Sequence, residues 1–477
     1  MLSQAALTKL VKDDLFPRWE AERDRLERID RWYRWQQDDI RLPRKATREL
    51  QGLAELSKVP WLQLVVTACA QAMYVDGYRS RLDPAGSAGD GDPRDVGAEP
   101  APPWRTWLAN GMDRRQVAVH RAALAYGFSF VTVLPGEDPV TGREQAVMRG
   151  VSPRALYAAW DDPAEDDWPR YALRLLERRG DDEQVFRVYD DTATYVVVVG
   201  EGGTKVTVEG EPQVHDVGVC PVVRYSNMLD LDGRTPGEVE PVIPLAARIN
   251  KTAYDRMLTQ HFNSWKIRTV SGMAEPDTDE EANRARLKLR QDDLLVAEDP
   301  DTKFGTLDET PLEGFIAAHR ADVETLAAVT QTPTHELTGQ MANLSAEALA
   351  AARASLSQKV TERQKSFGQS HAQGLRLAAA IDGHDDYAVD VTGRVTWQDM
   401  EIRSISQAVD ALGKAAQMLQ IPPSVLWSRI PGVEKSDVEE WLELAKRGDP
   451  IVELQARLER QATPAGGDGV AQLPVAG

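Results

Sequence analysis

The chain has 477 residues, 42% of them apolar and 27% charged, and 56 Lys and Arg against 75 Asp and Glu leave a net charge of −19. That length exceeds one ordinary compact domain and calls for about two to four structural units with cores of their own. The acidic balance argues against an ordinary free-standing protein that grips the phosphate backbone, since such binding rests on Lys and Arg displacing counterions; a protein that handles DNA without gripping it stays open.

The first residues, MLSQAALTKLVKDD, have no long apolar core and no small-residue cleavage site, so no signal peptide is expected. The most apolar short run, 195–199, has strand length, and nothing approaches the ~20 apolar residues of a membrane span. Residues 18–37 read as a charged helix with Trp19, Leu26, Ile29 and Tyr33 on one face. Residues 61–79 read as a buried helix leading into a short extended piece. Residues 83–103, rich in Gly, Pro, Ala and Asp, read as a mobile surface loop. A helix spans 104–127, carrying Trp104, Trp107 and Leu108. From 128 to 226 the pattern is of strands (FSFVTVLP, QAVMRGV, YALRLLE, QVFRVYD, ATYVVVV, TKVTV), with a hairpin around the glycines of 200–203. A mostly antiparallel sheet follows from that spacing.

After Gly233 helices take over. Residues 238–268 read as one long helix, with Pro241 and Pro244 in its first turn, where proline is tolerated. Residues 269–309 are mixed, with strands expected near 294–297 and 303–307. Thr310, Pro311, Leu312 and Glu313 form a capping box that opens a helix with Leu312, Phe315, Ile316, His319, Val323 and Leu326 on one face. It stops before Pro333. A short polar link follows, and Ser345 caps a very long helix to about residue 381, striped by Leu349, Leu356, Val360, Phe367, His371 and Leu375. Residues 387–397 look like one or two strands. An amphipathic helix then carries Ile402, Ile405, Val409, Leu412, Ala416 and Leu419; Ser436 and Glu439 cap another, and the last residues read as a disordered tail.

Chemistry is mostly absent. Cys69 and Cys220 sit among apolar residues and read as buried free thiols, as in a protein made in a reducing cytoplasm. None of the seven histidines stands at metal-ligand spacing, and His319 and His371 lie on packing stripes. Asp230, Asp232 and Gly233 hint at a calcium loop, but Arg234 stands where a third ligand belongs. The pairs Asp161, Asp162 and Asp166, Asp167 read as solvated turns. No nucleophile elbow or Walker loop is present, so no catalytic residue, metal or cofactor is expected.

What remains is a scaffold of class α+β, rich in long helices, in which two helices flank a small insert and must return antiparallel. The chain resembles the portal proteins of tailed bacteriophages with non-contractile tails, especially those of actinobacteria. The resemblance runs from about 18 to 444 and rests on VDGYR at 75–79; WLAN at 107–110 with ALAYG at 123–127; Ser152 and Pro153; PVV at 221–223 with Asn227; Asn250; TPTH at 332–335; and SAEAL at 345–349 with Lys359, Arg363, Gln364, Phe367 and Gly368. The insert at 83–103 departs from the usual pattern.

The resemblance implies a virion protein, a homododecameric ring with wing, stem, clip and crown at one capsid vertex. Through it double-stranded DNA would be packaged and ejected without sequence specificity. Its implied partners are the major capsid protein and scaffold, the terminase large subunit and a head–tail adaptor. It places the wing at 1–237, stem helices at 238–268 and 311–331, the clip at 269–310 and the tunnel loop at 332–344. The long helix and wing return fall at 345–398, the crown at 399–447 and a tail at 448–477. Thr334, Gln340, Met341 and Asn343 would then face the channel, and Lys251, Arg256, Lys266 and Arg268 would be stem cations that steer DNA or bridge subunits. An adaptor or minor head protein is the alternative, with a metal-dependent nuclease behind it.

Overall fold

The computed structural model describes residues 1–37, 40, 42, 46–82, 100–138, 141–180, 183–263, 268–271, 303–306, 310–339, 346–398, 405–427, 430, 433, 437–438, 440–441 and 444–445. The chain divides into two units. Unit 1 gathers Met1–Asp30, Val66–Glu240 and the chain from Leu356 onward; unit 2 gathers Arg31–Val65 and Pro241–Ser355.

Unit 1 holds two antiparallel sheets. Strands β4 (Leu156–Ala159), β5 (Tyr171–Arg179), β6 (Glu183–Tyr189), β7 (Ala193–Val199) and β8 (Val206–Val214) form a meander in chain order. Alternate residues of β7, namely Ala193, Tyr195, Val197 and Val199, join Leu173, Phe186 and Val188 on one face, as the period of two requires. Against that face lies the N-terminal helical rod: α1 (Gln4–Leu10), one π-helical turn and α2 (Phe16–Tyr33). Its Leu7, Val11, Leu15, Phe16 and Trp19 are all buried there. Trp19 meets Phe186 edge-on at 5.0 Å.

The rod starts fourteen positions before the expected residue 18, because Ser3 accepts a hydrogen bond from the Ala6 N–H and starts the helix. It ends at Tyr33 rather than 37, since Trp35 turns to φ 47°. The expected hairpin at 200–203 is present as a 3-10 turn. Gly203 is required there: a Cβ would lie 2.7 Å from the Phe16 ring.

The second sheet has β2 (Phe128–Glu137) between β3 (Glu144–Val151) and β9 (Val222–Ser226). The single expected sheet is thus two, and β4 was not foreseen, being only four residues long. The helix expected over 104–127 is two, α5 (Pro102–Ala109) and α6 (Met112–Tyr126), parted at Gly111 with φ 59°. The extended piece after α4 (Trp61–Ala70) is β1 (Val75–Arg79). It pairs with β12 (Arg394–Trp397), so only the last four residues of 387–397 are strand; the first three close a short helix, Asp385–Val389. Residues 83–99, where most of the expected loop falls, lie outside the described residues, as do Ser436, Glu439 and the C-terminal tail.

The long helix Ala346–Ile381 runs through unit 1 from Leu356. Its expected stripe is buried at Leu356, Val360, Phe367, His371 and Leu375. At Gly374 the helix approaches Met148 of β3 and Val223 of β9. Ser366 and Ser370 donate to the carbonyls of Ser226 and Arg224 at 2.7 and 2.8 Å. Both cysteines are free and buried.

At the centre of this packing His120 of α6 and His371 of the long helix are fully buried, with Nε2 atoms 2.8 Å apart; His371 Nδ1 meets Tyr225 Oη at 2.9 Å. Phe367 stacks on His120 and Trp107 meets His371 edge-on. Burial pushes the His120 imidazole down to about 4 and His371 well below its ordinary value. Both rings are therefore neutral in the folded protein where the unfolded chain binds protons. Stability is then complete above about pH 6.5 and falls as the pH drops toward 4. Urea midpoints should fall between pH 6.5 and 4.5, and the fall should shrink in His120→Gln.

Candidate functional site

Unit 2 is built on two helices. Helix α7 (Ile243–Asn263) follows a 3-10 turn, Glu240–Val242, which accommodates Pro241. Its buried face is Ile243, Ala246, Ile249, Asn250, Ala253 and Tyr254. Helix α8 (Glu313–Thr330) buries Val323, Leu326, Ala327 and Thr330. The expected capping box is not used. Residue 312 is the N-cap and makes no side-chain cap bond, so Pro311 stands ahead of the helix.

The contacts fix the helices antiparallel. Asn263 Nδ2 donates to the Thr310 carbonyl at 2.9 Å at one end. Further along, Arg248 pairs with Asp322 at 2.8 Å. At the other end Pro241, Pro244, Leu245 and Arg248 share a groove with Thr325 and Val329. Helix α3 (Arg48–Leu56) packs on α7. Trp61 lies 6.2 Å from His319, whose pKa is lowered by burial and by Arg256.

The insert between the helices begins and ends in a two-stranded ladder, β10 (Arg268–Ser271) with β11 (Lys303–Thr306). The strand expected at 303–307 is there; the one at 294–297 lies outside the described residues. Helix α7 ends at 263, so Arg268 stands on a strand and not on the helix. After α8, Gln331 takes a left-handed turn (φ 55°) and Thr330 Oγ1 lies 3.0 Å from Thr332 Oγ1. The polar link is not an open loop throughout: Thr334–Thr338 is a helical turn. Its Glu336 binds Arg353 of the long helix at 2.9 Å.

Of the expected site residues, Lys251, Arg256, Arg268 and Thr334 fall among the described ones. Lys251 is exposed, bound to Asp255 one turn on and lying 5.6 Å from the Tyr254 ring. Arg256 is half-buried beside His319. Thr334 is exposed at the start of its turn. Gln340, Met341, Asn343 and Lys266 lie outside the described residues. The pairs Arg248–Asp322 and Arg353–Glu336 were not foreseen: each partner is an unremarkable surface charge until the antiparallel register is known. In unit 1, Arg234 donates to Asp230 and Asp232 at 2.7 and 2.8 Å, so the calcium-like turn already carries its cation.

Among the described residues the two helices contribute a packed seam and exposed surface. Leu326 is the fully buried contact of α8, and Leu326→Ala should cost about 2–4 kcal/mol by the lost transfer energy and the cavity. Hydrogen exchange should accelerate in α7 and α8 and leave β5 to β7 unchanged.

Comparison with known proteins is consistent along the chain. The family described as "Phage portal protein, SPP1 Gp6-like" matches residues 12–450. The portal protein of Mycobacterium phage D29 is 24% identical over 85% of this chain and 81% of its own length. That of Mycobacterium phage L5 is 26% identical over 77% of this chain and 74% of its own.

Proposed function

The chain belongs to the phage portal family of the SPP1 Gp6-like kind, and from that premise we propose that twelve copies close a ring at one capsid vertex through which double-stranded DNA is packaged and ejected. Its role is structural. The observation that carries the finer reading is the antiparallel pair α7 and α8 with an insert rooted in the β10–β11 ladder, in a chain matched almost end to end by the family.

In this reading residues 1–237 are the wing, 238–268 and 311–331 the stem and 269–310 the clip. Residues 332–344 form the tunnel loop, 345–398 the long helix with the wing return, and 399–447 the crown. The clip meets the terminase large subunit during packaging and the head–tail adaptor afterwards; the wing meets the capsid protein and scaffold. Ring closure buries surface that one subunit leaves bare. Ile316 and Val329 on α8 and Val409, Met418 and Leu419 on helix Ile405–Leu419 are all exposed in the single chain.

A channel must let a polyanion slide. The net charge of −19 repels the duplex at short range, screened beyond a Debye length of about 8 Å. The pairing of Lys251 with Asp255 and of Arg248 with Asp322 leaves these two stem cations weak handles for phosphate. Residues 332–344 contain no Lys or Arg at all.

Replacing 269–310 with a short linker should leave the rest of the chain folded and abolish packaging in an infection complemented by the variant; packaged DNA in those particles would remove the clip assignment. Gln340→Lys and Asn343→Lys should form rings in normal yield and package more slowly, each new phosphate contact adding to the salt dependence. Loss of rings in both variants would instead place that segment between subunits.

A further inference from the structure

The chain crosses between its units at 30/31, 65/66, 240/241 and 355/356. Within unit 1, the carboxylates beside two of these crossings, 30/31 and 240/241, are held by cations. Asp30 accepts from Tyr126 Oη at 2.5 Å and pairs with Arg154 at 3.0 Å. Glu240 pairs with Arg25. Glu238 pairs with Lys359 at 2.6 Å and Arg363 at 3.2 Å, both on the long helix just after it returns to unit 1. These last three side chains are 10%, 3% and 5% exposed. Burial alone would raise the Glu238 pKa, yet the two cations and Asn227 hold it below its ordinary value.

The backbone here has little freedom. The Glu238 N–H donates to the Leu124 carbonyl at 2.8 Å. Beside it Gly127 and Gly237 pass so closely that a Cβ on Gly127 would lie 1.9 Å from the Thr235 carbonyl oxygen. The side-chain network is less complete. Asn227 Nδ2 donates to Glu238 and to the Pro236 carbonyl, but its Oδ1 is buried without a partner, and so is Arg363 Nε. Arg363 Nη1 lies 3.1 Å from the exposed carboxylate of Glu362, outside hydrogen-bond geometry.

A buried ion cluster contributes little net stability compared with apolar side chains of the same volume, and its recurrent use is to specify or switch a conformation. Unmade bonds within it lower the cost of rearrangement. Arg363 has two anions within reach, one inside and one at the surface.

We propose that Glu238, Lys359 and Arg363 form a clasp that opens locally, parting the Glu238 side chain from the long helix while both sheets stay folded. The inference concerns one chain and stands whether or not the ring forms. Local opening of this kind is a sub-global event with its own free energy.

The two cysteines read it out. Cys69 sits in the field of Glu238, Lys359 and Arg363, whereas Cys220 lies in the core shared by the two sheets. Labelling of the folded, full-length chain with a small maleimide, followed against urea, should show Cys69 reacting through an opening that depends weakly on urea and Cys220 through one that depends steeply. Glu238→Gln should accelerate Cys69 about tenfold or more, the loss of a charge-assisted bond, and leave Cys220 unchanged. Lys359→Met, which keeps the Glu238–Arg363 pair, should give a smaller acceleration confined to Cys69 and serves if Glu238→Gln does not fold. Equal urea dependence of the two thiols in the unaltered protein, or equal acceleration of both in either variant, overturns the clasp.

Discussion

In unit 1 the three-stranded sheet and α6 are organised by one buried helical face. The stripe Leu356, Val360, Phe367, His371 and Leu375 recurs at four- and seven-residue spacing, so it stays on one side of a rod about 54 Å long. The three-stranded sheet approaches it at Gly374 and bonds to it through Ser366 and Ser370. Helix α6 meets it through His120. A helix this long is not stabilised by propensity; tertiary packing of its apolar face fixes it. Its first ten residues belong to unit 2, so the same element carries the Arg353–Glu336 pair there and the Lys359 and Arg363 pairs with Glu238 in unit 1.

That dependence explains what was legible beforehand. Long stripes were plain: the long helix, α7, α8 and the strand run from 128 to 226 emerge near their expected places because a period repeated over several turns or strands is a strong signal. Short or interrupted elements were not. Strand Leu156–Ala159 is too short to show a period, and the break at Gly111 depends on a backbone angle. The segment at 387–397 carries strand-forming residues, yet Asp385 and Asp386 start a helical turn ahead of them. At Thr310 the capping pattern is present and unused.

The candidate site was less legible than the fold. Which charges matter depends on which are already neutralised, and that is set by distant partners. Lys251 could be matched with Asp255 from spacing alone, but Arg248 finds Asp322 only once α7 and α8 are known to run antiparallel. Glu238 gave no local sign that it would lie between two buried cations. The family, in contrast, could be read from short motifs kept in order over most of the chain, several of which sit at structural constraints. Gly127 closes the turn after α6, Asn227 bonds Glu238, and Phe367 stacks on His120.

The proposed ring rests on the family and on the apolar side chains that a single chain leaves exposed, such as Ile316, Val329 and Met418. Native mass spectrometry of the purified full-length chain at physiological ionic strength tests that most directly. One dominant species with the mass of twelve copies is expected. A stable monomer at high protein concentration, with no closed assembly, would contradict it.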